Sequence, residues 1–462
     1  MEDWTQTLGT APLLFIAAGA VALILFLIIV VRLHAFVVLV LVSLLTASFA
    51  RIPAEQIVPA MLDGFGGTLA TVALVVSFGA ILGRLLEASG GARVIAERMV
   101  AVFGQKRAAL ALGVSSLIMG IPMFADAGIV VMIPIVFAVA RRMGGRNLLL
   151  YGISSAAAFS IMHVLVPPHP GPVMASELFG ANIGLVLVFG LLVAVPVWYV
   201  SGYLWARLVN AKYPMVIPAL FGGLDEDQPK EPPKIGTVLL ILLLPMTLIL
   251  FNTGLDTLST AGVVDANATW VKVMMVVGAS PVALLVSVLV AMLVLGKFRG
   301  ESGSALEKLV DGTFGPVASV ILITGAGGMF GGVLRSSGIG DALYASLDGL
   351  GLPVVIAAYV ISVALRVAQG SATVAIATTG GLLGTAVNAG SFNEIELVCI
   401  VLAAASGSRF ASHVNDSAFW LVSNLLGMDV KTTLKTWTVQ SILESLLSFA
   451  VVLLIYSAGG VL

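Results

Sequence analysis

The sequence has little charge and almost no cysteine. Only 10% of its 462 residues are Asp, Glu, Lys or Arg, whereas about a quarter of a soluble domain is charged. Hydrophobic residues make up 59% of the chain, and the mean hydropathy is +1.10. This composition excludes an ordinary soluble protein and predicts a multi-pass protein of the lipid bilayer.

Other absences exclude further classes of site and partner. Cys399 is the single cysteine, so neither an intrachain disulfide nor a cysteine-rich metal centre is possible. The 23 basic residues are matched by 24 acidic residues, which gives a net charge of −1 and predicts no nucleic-acid partner. Glu2 and Asp3 stand where a signal peptide carries positive charge, so we interpret residues 11–31 as a retained first span.

Eight apolar segments are long enough to cross a membrane. They are residues 11–31, 35–50, 67–86, 182–206, 235–253, 271–296, 316–334 and 436–458. Two more apolar regions, 108–180 and 353–427, are repeatedly interrupted. In the first, four prolines between 167 and 172 cannot continue a helix, so we predict non-helical backbone from about His163 to Pro172. At bilayer depth such backbone must be buried in protein or line a wet cavity, which makes it a candidate site.

Basic residues predict how the chain threads the membrane, because cytoplasmic loops are rich in Lys and Arg. Segment 108–140 has basic clusters at both ends, so both ends are predicted to be cytoplasmic. We interpret it as a re-entrant hairpin with its tip at 120–128. The same threading places 18 of the 23 basic residues inside, three outside, and Arg366 and Arg409 within the membrane.

An internal repeat relates the two halves. Residues 62–92 align without gaps to residues 310–340 at a fixed offset of 248. At that offset the hairpin tip faces residues 369–376, and with a shift of two His163 matches His413. The threading orients the repeats oppositely, and inverted repeats with broken helices are typical of secondary transporters.

The predicted fold is an all-α polytopic membrane protein. It has about ten spanning helices, two re-entrant hairpins and two inverted-topology repeats with broken helices. The N-terminal half is 1–206, with its hairpin at 108–140 and its broken helix at 147–180. A charged, proline-rich cytoplasmic linker at 207–234 precedes the C-terminal half, 235–462, with its hairpin at 353–390 and its broken helix at 395–427.

Helices that begin inside the membrane present free N–H groups and a positive dipole end, which favours an anion. We predict four such starts, after Asp126, Pro172, Thr373 and Ser417. Hydroxyl and amide side chains near them suit a polyhydroxy ligand. A small hydroxylated carboxylate is the substrate class that these features favour.

Titratable residues at the breaks have two interpretations each. Asp126 is the only acid in segment 108–140 and either carries a proton or caps a helix from Ala127. Asp416 either caps the helix from Ser417 or binds a cation or proton. His163 and His413 are either structural donors or functional groups. Arg366 and Arg409 pair either with a substrate carboxylate or with a protein acid such as Asp416.

Four motifs together resemble the gluconate permease family of bacterial proton symporters, within a wider ion-transporter superfamily. They are GIPMFADAG (120–128), LVPPHPGPV (165–173), QGSATVA (369–375) and HVNDSAFW (413–420). Ala418 departs from the glycine usual in this family. The resemblance implies elevator-like, proton-coupled uptake of gluconate or a related sugar acid across the bacterial cytoplasmic (inner) membrane. It also implies a homodimer whose transport unit moves against a scaffold.

The residues and the resemblance together predict the site. The proton is assigned to Asp126 and Asp416. Substrate contacts are predicted at His163, His169, Gly171, Gln369, Gly370, Ser371, Thr373, His413, Asn415 and Ser417. No metal and no cofactor other than the coupling proton is expected.

Competing functions stay open at this point. A sodium-coupled carboxylate carrier, a cation/proton antiporter and a permease for D-serine or another hydroxy acid share the same features. A membrane enzyme would need a metal or nucleophile constellation, and the sequence offers none, so we expect no enzyme activity.

Overall fold

The computed structural model describes residues 5–142, 147–213, 215, 232–260, 263–349, 353–413 and 416–459. Over these ranges the regular structure is helical and no strand is present, which confirms the all-α prediction. The helices of the first half are α1 Thr10–Ile29, α2 Ala35–Phe49, α3 Ala54–Ala88, α4 Gly91–Phe103, α5 Ala108–Met119, α6 Ala125–Arg142, α7 Leu148–Leu165, α8 Pro170–Phe179, α9 Ile183–Val197 and α10 Trp205–Lys212.

The second half follows residue 231. Its helices are α11 Ile235–Thr260, α12 Thr269–Gly278, α13 Ser280–Ala291, α14 Gly303–Ser336, α15 Ile339–Gly349, α16 Val354–Gln369, α17 Ala372–Ala389, α18 Glu394–Gly407, α19 Ser417–Leu425, α20 Val430–Thr433 and α21 Val439–Gly459. Three π-helical segments, Trp198–Leu204, Met292–Gly296 and Leu434–Thr438, extend or join these helices.

Seven helical runs in the described part of the chain are long and apolar enough to cross a membrane, and six shorter apolar helices accompany them. The long helices α3 and α14 begin at Ala54 and Gly303, 13 residues before the predicted spans at 67 and 316. Hydropathy detects only the apolar part of a helix, whereas the hydrogen-bonded helix continues through the polar residues outside that part. Residues 216–231 of the predicted linker lie outside the described residues, and α10 extends into its start.

The order of the helices repeats along the chain. The offset of 248 that aligns the sequences also aligns the last residues of α3 and α14, Ala88 and Ser336. Each is followed by a short helix, a two-helix hairpin and a broken helix pair, first as α4 to α8 and then as α15 to α19. The opposite orientation of the two repeats stays a prediction.

Helices α3 and α14 cross with their backbones in contact. A Cβ atom on Gly64 would lie 2.5 Å from the carbonyl oxygen of Gly328, and one on Gly332 would lie 2.9 Å from Gly64 Cα. Only glycine permits an approach this close, as in the small-residue contacts of membrane helices. The crossing therefore joins the two halves directly through their backbones.

The two hairpins pack against α3 and α14, one hairpin on each helix. A Cβ atom on Gly83 of α3 would lie 2.6 Å from the carbonyl oxygen of Pro122, in the first hairpin. A Cβ atom on Gly331, the repeat partner of Gly83, would lie 3.2 Å from Gly381 Cα in the second hairpin. Each long helix thus supports the hairpin of its own half.

Candidate functional site

A cavity of about 630 Å³ lies where the two hairpin tips meet α3, α7, α14 and the second broken helix. The first hairpin contributes residues 122–127, and the second contributes Gly370 to Thr373. Among the residues predicted for the site, six line the cavity: Asp126, His163, Gly370, Ser371, Thr373 and Asp416.

The first hairpin tip presents an acid to this cavity. Helix α5 ends at Met119, and α6 begins at Ala125 because Gly128 N already donates to the carbonyl oxygen of Phe124 at 2.8 Å. Asp126 therefore lies inside the first turn of α6, and the prediction that it caps a helix from Ala127 is wrong. It is exposed to the cavity, and none of the hydrogen bonds or ion pairs of the described residues includes it. A negative charge in a first helical turn is favoured by the helix dipole.

The second hairpin tip is a helix end followed directly by a helix start. Gly370 ends α16 with φ +79°, a conformation that glycine adopts without steric cost. Ser371 caps α17, and its Oγ accepts a hydrogen bond from Val374 N at 3.4 Å. Backbone N–H groups and the hydroxyls of Ser371 and Thr373 therefore meet at the cavity wall. The side chain of Gln369 lies outside the described part of the structure.

A buried ion pair closes the second break, between the end of α18 and the start of α19. Asp416 Oδ1 accepts a hydrogen bond from Ala418 N at 3.0 Å, so Asp416 caps α19. Its other oxygen, Oδ2, accepts from Arg366 Nη2 and from Ser412 Oγ, and Arg366 also donates to the carbonyl oxygen of Gly370. Arg366 and Asp416 are only 3% and 5% exposed. The predicted cap and the predicted pairing of Arg366 with a protein acid are both present.

The second intramembrane arginine has a different carboxylate partner. Arg409 Nε donates to Glu444 Oε1 at 3.0 Å, and the Arg409 guanidinium lies 4.8 Å from the centre of the Trp437 ring. Gln440 also bonds to Glu444. Glu444 was not among the predicted site residues, although an acid inside the predicted span 436–458 marks a candidate for function.

The first break contains no ion pair among the described residues and is shorter than predicted. Helix α7 continues past His163 to Leu165, and α8 begins at Pro170, which is favourable at a first helical position. His163 lines the cavity, and His169 lies buried behind it with its Nδ1 3.2 Å from His163 Nδ1. His169 Nε2 donates to the carbonyl oxygen of Gly120 at 2.7 Å.

Several predicted site residues lie elsewhere. A Cβ atom on Gly171 would lie 2.6 Å from the side chain of Ile376, so the start of α8 packs against α17 and does not face the cavity. Three of the four predicted helix starts therefore converge. His413 is half-buried outside the cavity, and its Nε2 donates to the carbonyl oxygen of Val367 at 3.1 Å. Asn415 and the side chain of Ser417 fall outside the described residues.

The cavity wall also includes an ion pair that was not predicted. Arg84 Nη1 lies 2.7 Å from Glu87 Oε1 near the end of α3. A second, more open cavity begins beside it and shares Glu87 and Asp126 with the first. Three arginines and three acids thus line the main cavity in the described part of the chain, namely Arg84, Arg366, Arg409, Glu87, Asp126 and Asp416.

Long apolar helices that pack around a charged cavity between interrupted helices define a multi-pass membrane transport protein. The fold is shared with a solved structure, the Alcanivorax borkumensis YdaH transporter, at a TM-score of 0.61 and 16% sequence identity, over 88% of this chain and 90% of that one. A family model described as GntP family permease matches residues 11–458. The chain belongs to this family, and it is a permease rather than an enzyme.

Curated relatives agree with this assignment over nearly the whole chain. The chain is 38% identical to the inner membrane permease YgbN of Escherichia coli, over 96% of this chain and 98% of that protein. It is 35% identical to a gluconate permease of Pseudomonas aeruginosa, over 92% and 93% of the two chains. The Gnt-II system L-idonate transporter of Escherichia coli is 33% identical over 96% of this chain and 99% of that protein.

Proposed function

We propose that this protein is a secondary active transporter of the bacterial inner membrane that takes up gluconate or a related small sugar acid together with a proton. Relatives named gluconate permease and L-idonate transporter support the substrate class. The observation that carries the proposal is the convergence of three helix starts on one cavity that is also lined by buried arginines.

The substrate carboxylate is assigned to the positive side of this cavity. The N-terminal ends of α6, α17 and α19 contribute partial positive charge there. The guanidinium groups of Arg366 and Arg409 lie at the same wall, each held by a carboxylate partner, and can donate to the substrate carboxylate as well. Ser371 and Thr373 lie at the same wall and supply hydroxyl groups for the sugar chain. Gln369, Asn415 and Ser417 stay predicted contacts on sequence grounds.

The proton is assigned to Asp126. Both carboxyl oxygens of Asp416 already accept hydrogen bonds, from Arg366, from Ser412 and from the backbone of α19. Asp126 has no such partner among the described residues and faces the cavity. An anionic substrate and one proton that enter together add no net charge to the cavity.

Transport follows an alternating-access cycle in this proposal. The two repeats have opposite orientations, the hairpins and broken helices with α3 and α14 form the moving unit, and the remaining helices form the scaffold of a homodimer. The repeated helix order from α3 to α8 and from α14 to α19 supports this division.

Uptake of labelled gluconate into proteoliposomes tests the coupling. Three conditions are compared: an inward proton gradient, an inward sodium gradient and no gradient. We expect accumulation above the external concentration with the proton gradient alone. Accumulation that follows sodium and ignores pH would instead identify a sodium-coupled carboxylate carrier, and binding of D-serine in place of sugar acids would identify a different substrate.

The Asp126→Asn variant tests the assignment of the proton. The neutral amide cannot take up and release a proton, so gluconate binding should remain while accumulation driven by the proton gradient is lost. Asp341→Asn is the matched control, because Asp341 also lies in the first turn of a helix, α15, and is exposed outside the cavity. Normal proton-driven accumulation by Asp126→Asn would remove Asp126 from the coupling mechanism.

A further inference from the structure

The hydrogen positions on two histidines of the first break follow from one backbone carbonyl group. His169 Nε2 lies 2.7 Å from the carbonyl oxygen of Gly120, and a carbonyl oxygen only accepts. Nε2 of His169 therefore carries a hydrogen in every protonation state that keeps this bond. In neutral His169 the other nitrogen, Nδ1, then has a lone pair and is an acceptor.

The acceptor on His169 determines which nitrogen of His163 carries the hydrogen. Its Nδ1 lies 3.2 Å from His169 Nδ1, so one of these two atoms donates and the other accepts. Because neutral His169 offers only a lone pair there, His163 donates from Nδ1, and its own lone pair is left on Nε2. The carbonyl of Gly120 thus sets the tautomer of a residue that it does not touch.

The opposite arrangement, in which His169 Nδ1 donates to His163 Nδ1, would make His169 a buried cation. If His169 donated from both nitrogens, it would carry a positive charge at 3% exposure. None of the ion pairs of the described residues includes a histidine, so no carboxylate there offsets such a charge. Burial of an unpaired charge costs far more than either tautomer of a neutral ring, so the neutral arrangement is favoured.

The other ring nitrogen of His163, Nε2, makes no hydrogen bond among the described residues, and His163 lines the cavity. The cavity wall near it includes donors such as Arg366, Arg409 and the hydroxyl of Ser371, and the acids Asp126 and Asp416. The Phe124 ring packs on His163 with the two ring centres 5.6 Å apart. A ligand carboxylate only accepts hydrogen bonds, so it offers no hydrogen to the lone pair on Nε2. A hydroxyl group on the same ligand supplies the missing hydrogen.

We propose that His169, fixed by the carbonyl of Gly120, holds His163 in the tautomer with its hydrogen on Nδ1, so that His163 Nε2 accepts a hydrogen bond from a hydroxyl group of the bound sugar acid. His163 is then a specificity-determining residue, and His169 is a positioning residue that does not touch the substrate. The identity of the ligand rests on the proposed function, whereas the tautomer does not.

Nitrogen NMR on protein labelled with ¹⁵N-histidine measures the tautomers directly, since the chain has only four histidines. At a pH where both rings are neutral, we expect His163 to carry its hydrogen on Nδ1 and His169 to carry its hydrogen on Nε2.

Two variants test whether His169 sets this tautomer. In His169→Phe the His163 signal should lose its Nδ1–H character. In His169→Gln it should be kept, because the amide can donate to Gly120 and accept from His163 at once. His34, an exposed residue at the start of α2, is the reference and should not change in either variant.

Binding of gluconate and of its monodeoxy analogues, each lacking one hydroxyl group, tests the role in specificity. Loss of one hydrogen bond weakens binding about tenfold, so one analogue should bind the wild-type protein about tenfold more weakly than gluconate. In His163→Phe the same analogue and gluconate should bind within about twofold of each other.

Two results would overturn the proposal: a hydrogen on Nε2 of His163 in the wild-type protein, or equal discrimination against every deoxy analogue in the wild-type and His163→Phe proteins. If the wild-type protein binds no gluconate at all, the proposed function fails, and the NMR measurement still decides the positioning role of His169.

Discussion

The two broken helices lie at matching places in the repeat and hold their backbone breaks with different chemistry. In the first, neutral rings bond to each other and to a carbonyl, through His163, His169 and Gly120. In the second, Arg366 pairs with Asp416, and Arg409 pairs with Glu444. The repeat therefore preserves where the helices stop and start, while the side chains at the two breaks have diverged.

Under the proposed function, this difference assigns the two halves different contacts with the substrate. The arginines of the second break would bind the carboxylate, and His163 of the first break would accept from a hydroxyl. His163 and His413 show the divergence most plainly, because His163 lines the cavity, whereas His413 lies outside it and bonds to the carbonyl of Val367. Symmetry in sequence is thus a guide to backbone and a poor guide to the role of a side chain.

The largest expected effect tests the charged break. Glu444→Ala leaves the buried Arg409 without its carboxylate, and removal of one partner of a buried pair destabilises by about 3–5 kcal/mol. Thermal unfolding in detergent should show this loss, and the double variant Arg409→Met with Glu444→Met should recover most of it. If Glu444→Ala unfolds at the wild-type temperature, the ion pair does not hold the second break.

A smaller loss is expected where the two halves touch. Gly64→Ala places a Cβ atom 2.5 Å from the carbonyl oxygen of Gly328 and should destabilise by about 1–3 kcal/mol. Gly67→Ala in the same helix meets no atom within 4 Å and should be neutral or stabilising, by up to about 1 kcal/mol. Equal unfolding temperatures for these two variants would contradict the close crossing of α3 and α14.

The cap and the ion pair of Asp416 can be separated. Asp416→Asn loses the charge that pairs with Arg366 but keeps an oxygen that can accept from Ala418 N. Asp416→Ala loses both and should be less stable than Asp416→Asn by about 1 kcal/mol. Identical stabilities of the two variants would mean that the cap contributes nothing beyond the ion pair.

The smallest effect concerns an aspartate cap outside the membrane spans. Asp429 caps α20, and hydrogen bonds from the side chain and backbone of Thr432 hold the pKa of its exposed carboxyl below the usual range. A lowered folded-state pKa means that this stabilisation is present above the unfolded pKa of about 4 and is lost as the pH falls through the lower folded value.

Unfolding temperatures of the wild-type and Asp429→Asn proteins, measured between about pH 6 and pH 3, test this cap. The wild-type protein should lose slightly more stability than the variant at the acid end, because the amide does not titrate there. Parallel curves for the two proteins would show that the cap has no pH-dependent contribution.

The positions of the helix breaks were predicted well from the sequence, because proline and glycine act on the backbone of their own neighbourhood. The four predicted helix starts lie within three residues of the observed ones, at Ala125, Pro170, Ala372 and Ser417. The offset of 248 anticipated the common ends of α3 and α14. These features depend on the residue itself and its neighbours in sequence, so one sequence suffices to find them.

Partnerships between distant side chains were harder to predict. Glu444 lies 35 residues from Arg409 in sequence and meets it only because α21 packs against α18. The bond of His413 to Val367 and the packing of Gly171 against α17 also depend on contacts between residues far apart in sequence. Asp126 was expected to be either a cap or a proton carrier, and only the start of α6 at Ala125 removed the first choice.

The backbone contact between α3 and α14 limits how the cavity can open. Both helices line it, α3 through Ala80 and Gly83 and α14 through Thr313 and Val317. The two helices are joined at Gly64 and Gly328, so they cannot separate without breaking this close backbone contact. In the proposed transport cycle, the substrate would therefore enter and leave past the hairpin tips while α3 and α14 stay in contact.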